Sequence, residues 1–359
     1  MDIESKIEII KSFAEEIVTE DELRILLETN SRPVAYDGFE PSGIAPIHFG
    51  LTRAKNLKKM LGIGIRFKLY LADYFAFLNN KLGGDMENIR DTGRYFIEVW
   101  KASGIDESKI DIVWASSLMD NVGYWDRVMR IGKVTTLDRV KRAITIMGRK
   151  EGDSISAGML MYPLMQAADI FEMDIDICQL GIDQRRANIL AREASERYKW
   201  KKPVAVHHKL VLGLMGIPKE ASGSKEGMVD YKMSKSNPST AIYMHDTYEE
   251  IKKKISGAYC PERVVEGNPI FNYLETTILD SRADHITIER PSKFGGDIEL
   301  EGYDDLVRKY IAGKIHPMDL KGFAANRLET MIKPVREHFV KDKNAAKLYE
   351  RMKSYNITR

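Results

Sequence analysis

Cysteine is almost missing: the 359 residues hold two, Cys178 and Cys260, with no CxxC spacing. Two such thiols cannot form a cysteine-ligated metal cluster, and the pattern is consistent with a reducing, cytoplasmic compartment. No run of about 18 apolar residues occurs, and no N-terminal apolar h-region, so neither a membrane span nor a secretion signal is expected. Net charge is only +2 although 30% of residues are charged. A nucleic-acid partner would therefore be met by a local basic surface, not by the total charge. Internal repeats and low-complexity tracts are also lacking. With 43% hydrophobic residues the chain has ample core, and its length favours two domains.

What is present is alternation. Ile3, Ile7, Ile10 and Ala14 recur at helical spacing, and Thr19 with Glu22 forms a capping-box start, so the first thirty residues read as two helices. RPVAYDGFEPSG then gives a short strand over 33–37 and a Gly- and Pro-containing loop leading to His48 and a helix. Strand, loop and helix in that order make a nucleotide-binding βα unit, whose helix N-terminus attracts an anion. RFKLYLAD, IDIVWAS, DIDICQLG and PVAVHHKLVL read as further strands. Helical segments separate them, including 87–102 and a long one from Tyr124 to about Arg149. This predicts an α/β fold: a Rossmann-like, doubly wound parallel sheet, with ligands at the carboxyl ends of its strands. From about Thr247 the pattern turns mostly helical, with a short hairpin expected around Gly295-Gly296. We expect a catalytic domain over 1–240 and a C-terminal helical domain over 241–359, ending in a tail with six basic and two acidic residues. That tail reads either as a basic face or as a merely solvated helix.

Two stretches carry chemistry. Lys232-Met233-Ser234-Lys235-Ser236 places two ammonium groups and two hydroxyls in a polar loop able to fold over a polyphosphate. Chance would produce this string in roughly 1 in 10^4 chains of this length, and a solvated basic turn is the competing reading. In Tyr162-Pro163-Leu164-Met165-Gln166-Ala167-Ala168-Asp169, the residues Tyr162, Gln166 and Asp169 share one helix face among apolar neighbours. A carboxylate so placed either caps a neighbouring turn or lines a polar-tipped pocket.

KMSKS matches, letter for letter, the signature of class I aminoacyl-tRNA synthetases. Together with AYDGFEPSG, MYPLMQAADI and LGIDQRRA, and with KFGGD and HPMD further on, it makes the chain resemble the tyrosyl-tRNA synthetases of the archaeal and eukaryotic branch. The resemblance runs from about Thr19 to Phe339 and implies a two-step reaction. Tyrosine would be activated by ATP and Mg²⁺ to tyrosyl-adenylate and pyrophosphate, then passed to the terminal adenosine of tRNA(Tyr). It implies Tyr36 and Asp169 for the phenolic hydroxyl, and Tyr162, Gln166 and Gln184 for the α-amino group, with Glu40 in the same pocket. His48, Lys232 and Lys235 would be catalytic; Gly50, Gly181, Asp183, Met233, Ser234 and Ser236 would join them in binding ATP. His48 and Gly50 match the first and third positions of the HIGH motif, but the fourth is Leu51, so one imidazole is missing there. No dedicated protein site for a metal is implied.

The resemblance also implies that Phe294, His316 and Asp319 meet the first anticodon base, and that Arg142 and Arg185 meet the first base pair of the acceptor stem. A core aromatic at Phe294 and solvated arginines are the plain readings of those residues. A homodimer with one tRNA spanning two subunits is implied as well. Three alternatives compete: a tryptophanyl-tRNA synthetase, a small-molecule nucleotidyltransferase without need of the Phe294 to Asp319 block, and a non-enzymatic RNA-binding relative, which Leu51 would favour.

Overall fold

A computed structural model describes residues 1–148, 154–217, 231–233 and 238–355. The main sheet holds β1 (Ala14–Val18), β2 (Val34–Phe39), β3 (Arg66–Leu71), β4 (Ile110–Trp114), β5 (Ile177–Gly181) and β6 (Val204–His208). Their spatial order is β1-β6-β5-β2-β3-β4. Every neighbouring pair from β6 to β4 is parallel. The Rossmann-like sheet is therefore as expected, with one addition. AEEIV, whose Ala14 fits a helical spacing in the sequence, is a strand running antiparallel along β6. Pairing with an open sheet edge overrides the local helical preference of those five residues. Thr19 does cap the following helix: its hydroxyl accepts from the Glu22 amide at 3.2 Å, and its own amide donates back to the Glu22 carboxylate.

The expected long helix from Tyr124 is broken. It becomes helices Val122–Val134 and Leu137–Ala143 and a 3₁₀ turn, Ile144–Met147, which ends at Gly148 with φ of +74°. Thr136 restarts the backbone by capping Arg139.

Both faces of the sheet are covered. Alternation along β2 sends Ala35 and Phe39 into one apolar core with Phe67, Leu69 and Ile177. It sends Tyr36 into the other, with Tyr70, Cys178 and Leu180. The second core is roofed by helices that include Val122–Val134, Ala157–Glu172 and Arg185–Tyr198. The first continues into the helices after Thr247, reaching Leu274, Leu320, Leu328 and Met352. The expected hairpin is present as the antiparallel pair β7 (Ile286–Ile288) and β8 (Ile298–Leu300).

The C-terminal helix Lys343–Lys353 lies against Met86–Ala102. Arg351 forms an ion pair with Asp91, and the Tyr355 hydroxyl donates to the same carboxylate at 3.0 Å. Part of the basic tail is thus spent on an internal acid, while Lys343 and Lys347 stay exposed. Tyr349 stacks on His245 with ring centroids 3.7 Å apart. Burial, reinforced by Lys353 and Arg336, pushes the His245 imidazole down to about 3.

Because its folded value lies below its unfolded value, His245 contributes stability that is full above pH about 6.5 and lost as pH falls toward 3. We expect His245→Phe to flatten that acid limb. The free energy of urea unfolding of the variant, relative to the wild type, should rise by roughly 2–3 kcal/mol between pH about 7.5 and about 4.5. Parallel pH profiles for the two proteins would contradict it.

Candidate active site

Strand order reverses between β2 and β5: the chain runs outward through β3 and β4 on one side, and through β5 and β6 on the other. Loops leaving the carboxyl ends of β2 and β5 are sent apart, and a crevice opens between them. Glu40 and the segment to His48 leave from β2, Asp183 and Gln184 from β5, and Lys209 from β6.

On one side of the crevice lies a buried group of hydroxyls and one carboxylate. Asp169, on the Ala157–Glu172 helix, is 1% exposed. Its Oδ1 accepts from the Tyr124 hydroxyl at 2.9 Å. Its Oδ2 and the hydroxyls of Tyr36 and Tyr70 are buried and make no hydrogen bond of full geometry. Burial lifts the Asp169 carboxyl to about 8, against the opposing pull of the Tyr70 and Tyr124 hydroxyls. Tyr36 and Tyr70 meet edge to face at 6.3 Å. Gly38, paired with Tyr70 across the two strands, makes this possible: a Cβ there would sit 3.2 Å from the Tyr70 ring and 3.8 Å from that of Tyr36.

The next turns of the same helix supply further polar groups. The Tyr162 hydroxyl donates to Glu40 at 2.7 Å, and Asn79 donates to both oxygens of that carboxylate at 3.0 and 3.1 Å. Gln166 donates to the Gln184 side-chain oxygen at 3.2 Å, and Gln184 donates to the Ile146 carbonyl at 3.1 Å. Tyr162, Gln166, Gln184 and Glu40 therefore line one wall, with Tyr36 and Asp169 at its buried end.

On the other side a small cleft of about 70 Å³ is lined by His48, Arg53, Asp183, His208, Lys209 and Lys232. Lys232 forms an ion pair with Asp183. Burial alone would raise the Asp183 carboxyl, but Lys232, then Arg53 and His208, hold it well below the usual range. Arg53 donates to Asp37 at 3.0 Å; burial nevertheless carries Asp37 up to about 7. Glycine at 181 lets the Asp183 carboxylate sit close to the backbone: a Cβ would lie 2.4 Å from Asp183 Oδ1 and displace it. Gly50 is closed over by Met244, whose sulfur would lie 2.4 Å from a Cβ. Leu51 and Met233 are core residues, 7% and 4% exposed. The side chain at the departed HIGH position thus faces the apolar interior. Ser234, Lys235 and Ser236 lie outside the described residues.

The expected RNA contacts fall in two places. Phe294 is 61% exposed, beside Lys293. Its turn is tied to the start of the Pro317–Lys341 helix by Arg290, which donates to the Gly296 carbonyl at 2.8 Å and lies 3.7 Å from Asp319. His316 caps that helix, accepting from the Met318 amide at 3.1 Å. Arg142 is exposed, and its carbonyl accepts from Arg186 at 2.6 Å; the neighbouring Arg185 is paired with Glu16.

Sequence reasoning missed Tyr70, Tyr124, Asn79, Arg53, Lys209 and Arg290. Tyr70 and Arg53 carry a usable signal: one lies near the carboxyl end of a predicted strand, and the other follows His48 by five residues. Tyr124, Asn79 and Arg290 reach the site only through contacts distant in sequence.

Residues 28–333 match the family described as tRNA synthetases class I (W and Y). The chain belongs to that family. It is 42% identical to "Tyrosine--tRNA ligase 1, cytoplasmic" of Arabidopsis thaliana, over 100% of this chain and 90% of that protein. It is 41% identical to the tyrosine--tRNA ligase of Sulfolobus acidocaldarius, over 94% of each. The crystal structure of tyrosyl-tRNA synthetase from Pyrococcus horikoshii, complexed with L-tyrosine, superposes with a TM-score of 0.90 at 37% identity, covering 98% of this chain and 100% of that one. A tryptophanyl-tRNA synthetase from Aeropyrum pernix shares the fold at 17% identity and a TM-score of 0.65.

Proposed function

We propose that this class I synthetase is a tyrosine–tRNA ligase whose buried hydroxyl and carboxylate group reads the phenol of L-tyrosine. The supporting observation is the set of polar atoms without full partners: Asp169 Oδ2, Tyr36 OH and Tyr70 OH. A phenol is donor and acceptor at once, so it can donate to Asp169 and accept from Tyr36. Phenylalanine would leave those buried groups unpaired, at a cost of a few kcal/mol, about 1–3 per group. The ammonium group then faces the oxygens of Tyr162, Gln166 and Gln184, with Glu40 adding a negative charge.

In this pose the tyrosine carboxylate attacks the α-phosphorus of ATP. An O–P bond forms and the bond to the pyrophosphate oxygen breaks. The attacking carboxylate is already ionised, so no side chain need remove a proton, and catalysis is positioning and charge stabilisation. His48, Arg53, Lys232 and, by its place in the motif, Lys235 would face the phosphates; Gly181 and Asp183 would approach the nucleoside. Mg²⁺ would arrive on the ATP oxygens and spread the charge of the leaving pyrophosphate. Tyrosine then passes to the 3′-terminal adenosine of tRNA(Tyr), with Phe294, His316 and Asp319 at the anticodon and Arg142 and Arg185 at the acceptor stem. We assign catalysis to residues 1–240 and anticodon reading to 241–359. Both cysteines are free buried thiols, in keeping with a cytoplasmic setting.

The active form in this reading is a homodimer. Val122, Trp125 and Met129 form an exposed apolar stripe at helical spacing, 84%, 36% and 64% exposed, with Leu137 beyond it at 56%. Such a stripe on a monomer's surface marks an interface.

Amino-acid-dependent ATP–pyrophosphate exchange tests the central reading. Tyrosine should support exchange and phenylalanine and tryptophan should not; exchange with tryptophan would move the assignment to the sister enzyme. Asp169→Ala should lower tyrosine-dependent exchange by at least about 100-fold, with the circular dichroism spectrum unchanged. Phe294→Ala should raise the KM for tRNA several-fold while sparing exchange; an equal fall in both steps would remove the anticodon role. Met129→Asp should shift the sedimentation coefficient from dimer to monomer, and an unshifted boundary would place the interface elsewhere.

A further inference from the structure

A second cavity, larger than the His48–Lys232 cleft, lies outside the crevice just discussed. It measures about 690 Å³ and lies behind the Ala54–Gly62 helix, between the N-terminal helix and the segment after Glu275. Its volume is in the range of small-molecule sites. Thr52 and Lys209 line both this cavity and the His48–Lys232 cleft, so the two share a wall.

Most cations around the cavity are matched by acids. Lys11 pairs with Glu8 at 3.2 Å, and Lys209 and Arg282 both pair with Glu275, at 2.8 and 2.6 Å. Lys55 and Lys59 differ. One helical turn apart, they project from the same face; Lys55 donates to the Leu279 carbonyl at 2.8 Å and Lys59 to the Ser12 hydroxyl at 3.0 Å. Neither forms an ion pair with a carboxylate among the described residues. Burial pushes the Lys55 amine down to about 7, with the Lys59 charge adding to the effect, and burial lowers Lys59 too; the more distant charges of Asp280 and Asp284 oppose both shifts without cancelling them. Between them on the helix, Asn56 is 2% exposed, lines the same cavity, and has a buried side-chain oxygen without a partner. Phe13, Ile63 and Leu279 form an apolar remainder. Two amines whose nearest carboxylates, Asp280 and Asp284, stand beyond ion-pair distance, an unsatisfied amide and an apolar wall are the complement of one ligand class.

We propose that this cavity is a second binding site, separate from the tyrosine and ATP sites, for a small organic anion whose acidic group bridges Lys55 and Lys59. Its apolar body lies against Phe13, Ile63 and Leu279, and a donor on it meets Asn56.

The probe is 8-anilinonaphthalene-1-sulfonate, a sulfonate on an apolar body, compared with neutral N-phenyl-1-naphthylamine in fluorescence titrations of the full chain. The sulfonate should saturate one site per chain and stay bound in excess ATP and tyrosine. Lys55→Met with Lys59→Met, which keeps the aliphatic stems, should weaken the sulfonate at least tenfold and leave the neutral probe within twofold. Gly62 also lines the cavity, and a Cβ there meets nothing within 4 Å. Gly62→Phe should therefore fill the space and abolish binding of both probes at an unchanged Tm. The proposal is overturned by absence of saturable binding, by displacement with ATP or tyrosine, or by wild-type sulfonate affinity in either variant. All readouts are binding, so the outcome stands apart from whether the enzyme charges tRNA.

Discussion

Alternation along β2 is the constraint on which the site depends. A strand between two parallel neighbours has no free edge, and its side chains can only face one core or the other in turn. Six residues therefore commit Tyr36 to one side and Asp37 and Phe39 to the other. Tyr36 meets Tyr70 and the helix that carries Asp169. Asp37 meets Arg53, whose guanidinium also lies 4.4 Å over the Phe39 ring. The buried hydroxyl–carboxylate group and the His48–Lys232 cleft, the proposed tyrosine and phosphate sites, thus issue from opposite faces of one strand, at the point where strand order reverses. A shift of register by one residue would exchange their contents.

What could be read in advance follows from the same logic of local and distant contacts. The Thr19–Glu22 capping box and the set of Tyr162, Gln166 and Asp169 are local: each needs only helical geometry to become meaningful, and each was legible. The parallel sheet could be read from alternation because buried strands announce themselves by runs such as VAVHH. AEEIV has no such pattern. It is a strand because β6 offers an unpaired edge, which nothing within those five residues encodes. Tyr124 and Asn79 are hidden for a similar reason. They reach Asp169 and Glu40 across 45 and 39 positions of chain, and neither sits in a motif. The HIGH departure could be seen in the sequence, but its meaning could not. Leu51 is buried apolar surface, and the cations Arg53 and Lys209 stand in the cleft.

Two buried acids at that cleft show how finely the balance is set. Asp37 and Asp183 are both near Arg53, yet Asp37 is raised to about 7 and Asp183 is held well below its usual range. The difference is Lys232. An ammonium in direct contact offsets the desolvation that Arg53 alone does not offset for Asp37. The first lysine of KMSKS is thus committed to a carboxylate. On the proposed reading, a triphosphate, which carries more charge than one carboxylate, draws Lys232 off. In that reading Asp183 then loses the ammonium that offsets its burial, and a sugar hydroxyl donating to it, beside a glycine that permits close approach, takes over that role. On the proposed reading, the ion pair is a placeholder for the nucleotide: it keeps both partners charged and oriented until phosphate and ribose replace each of them.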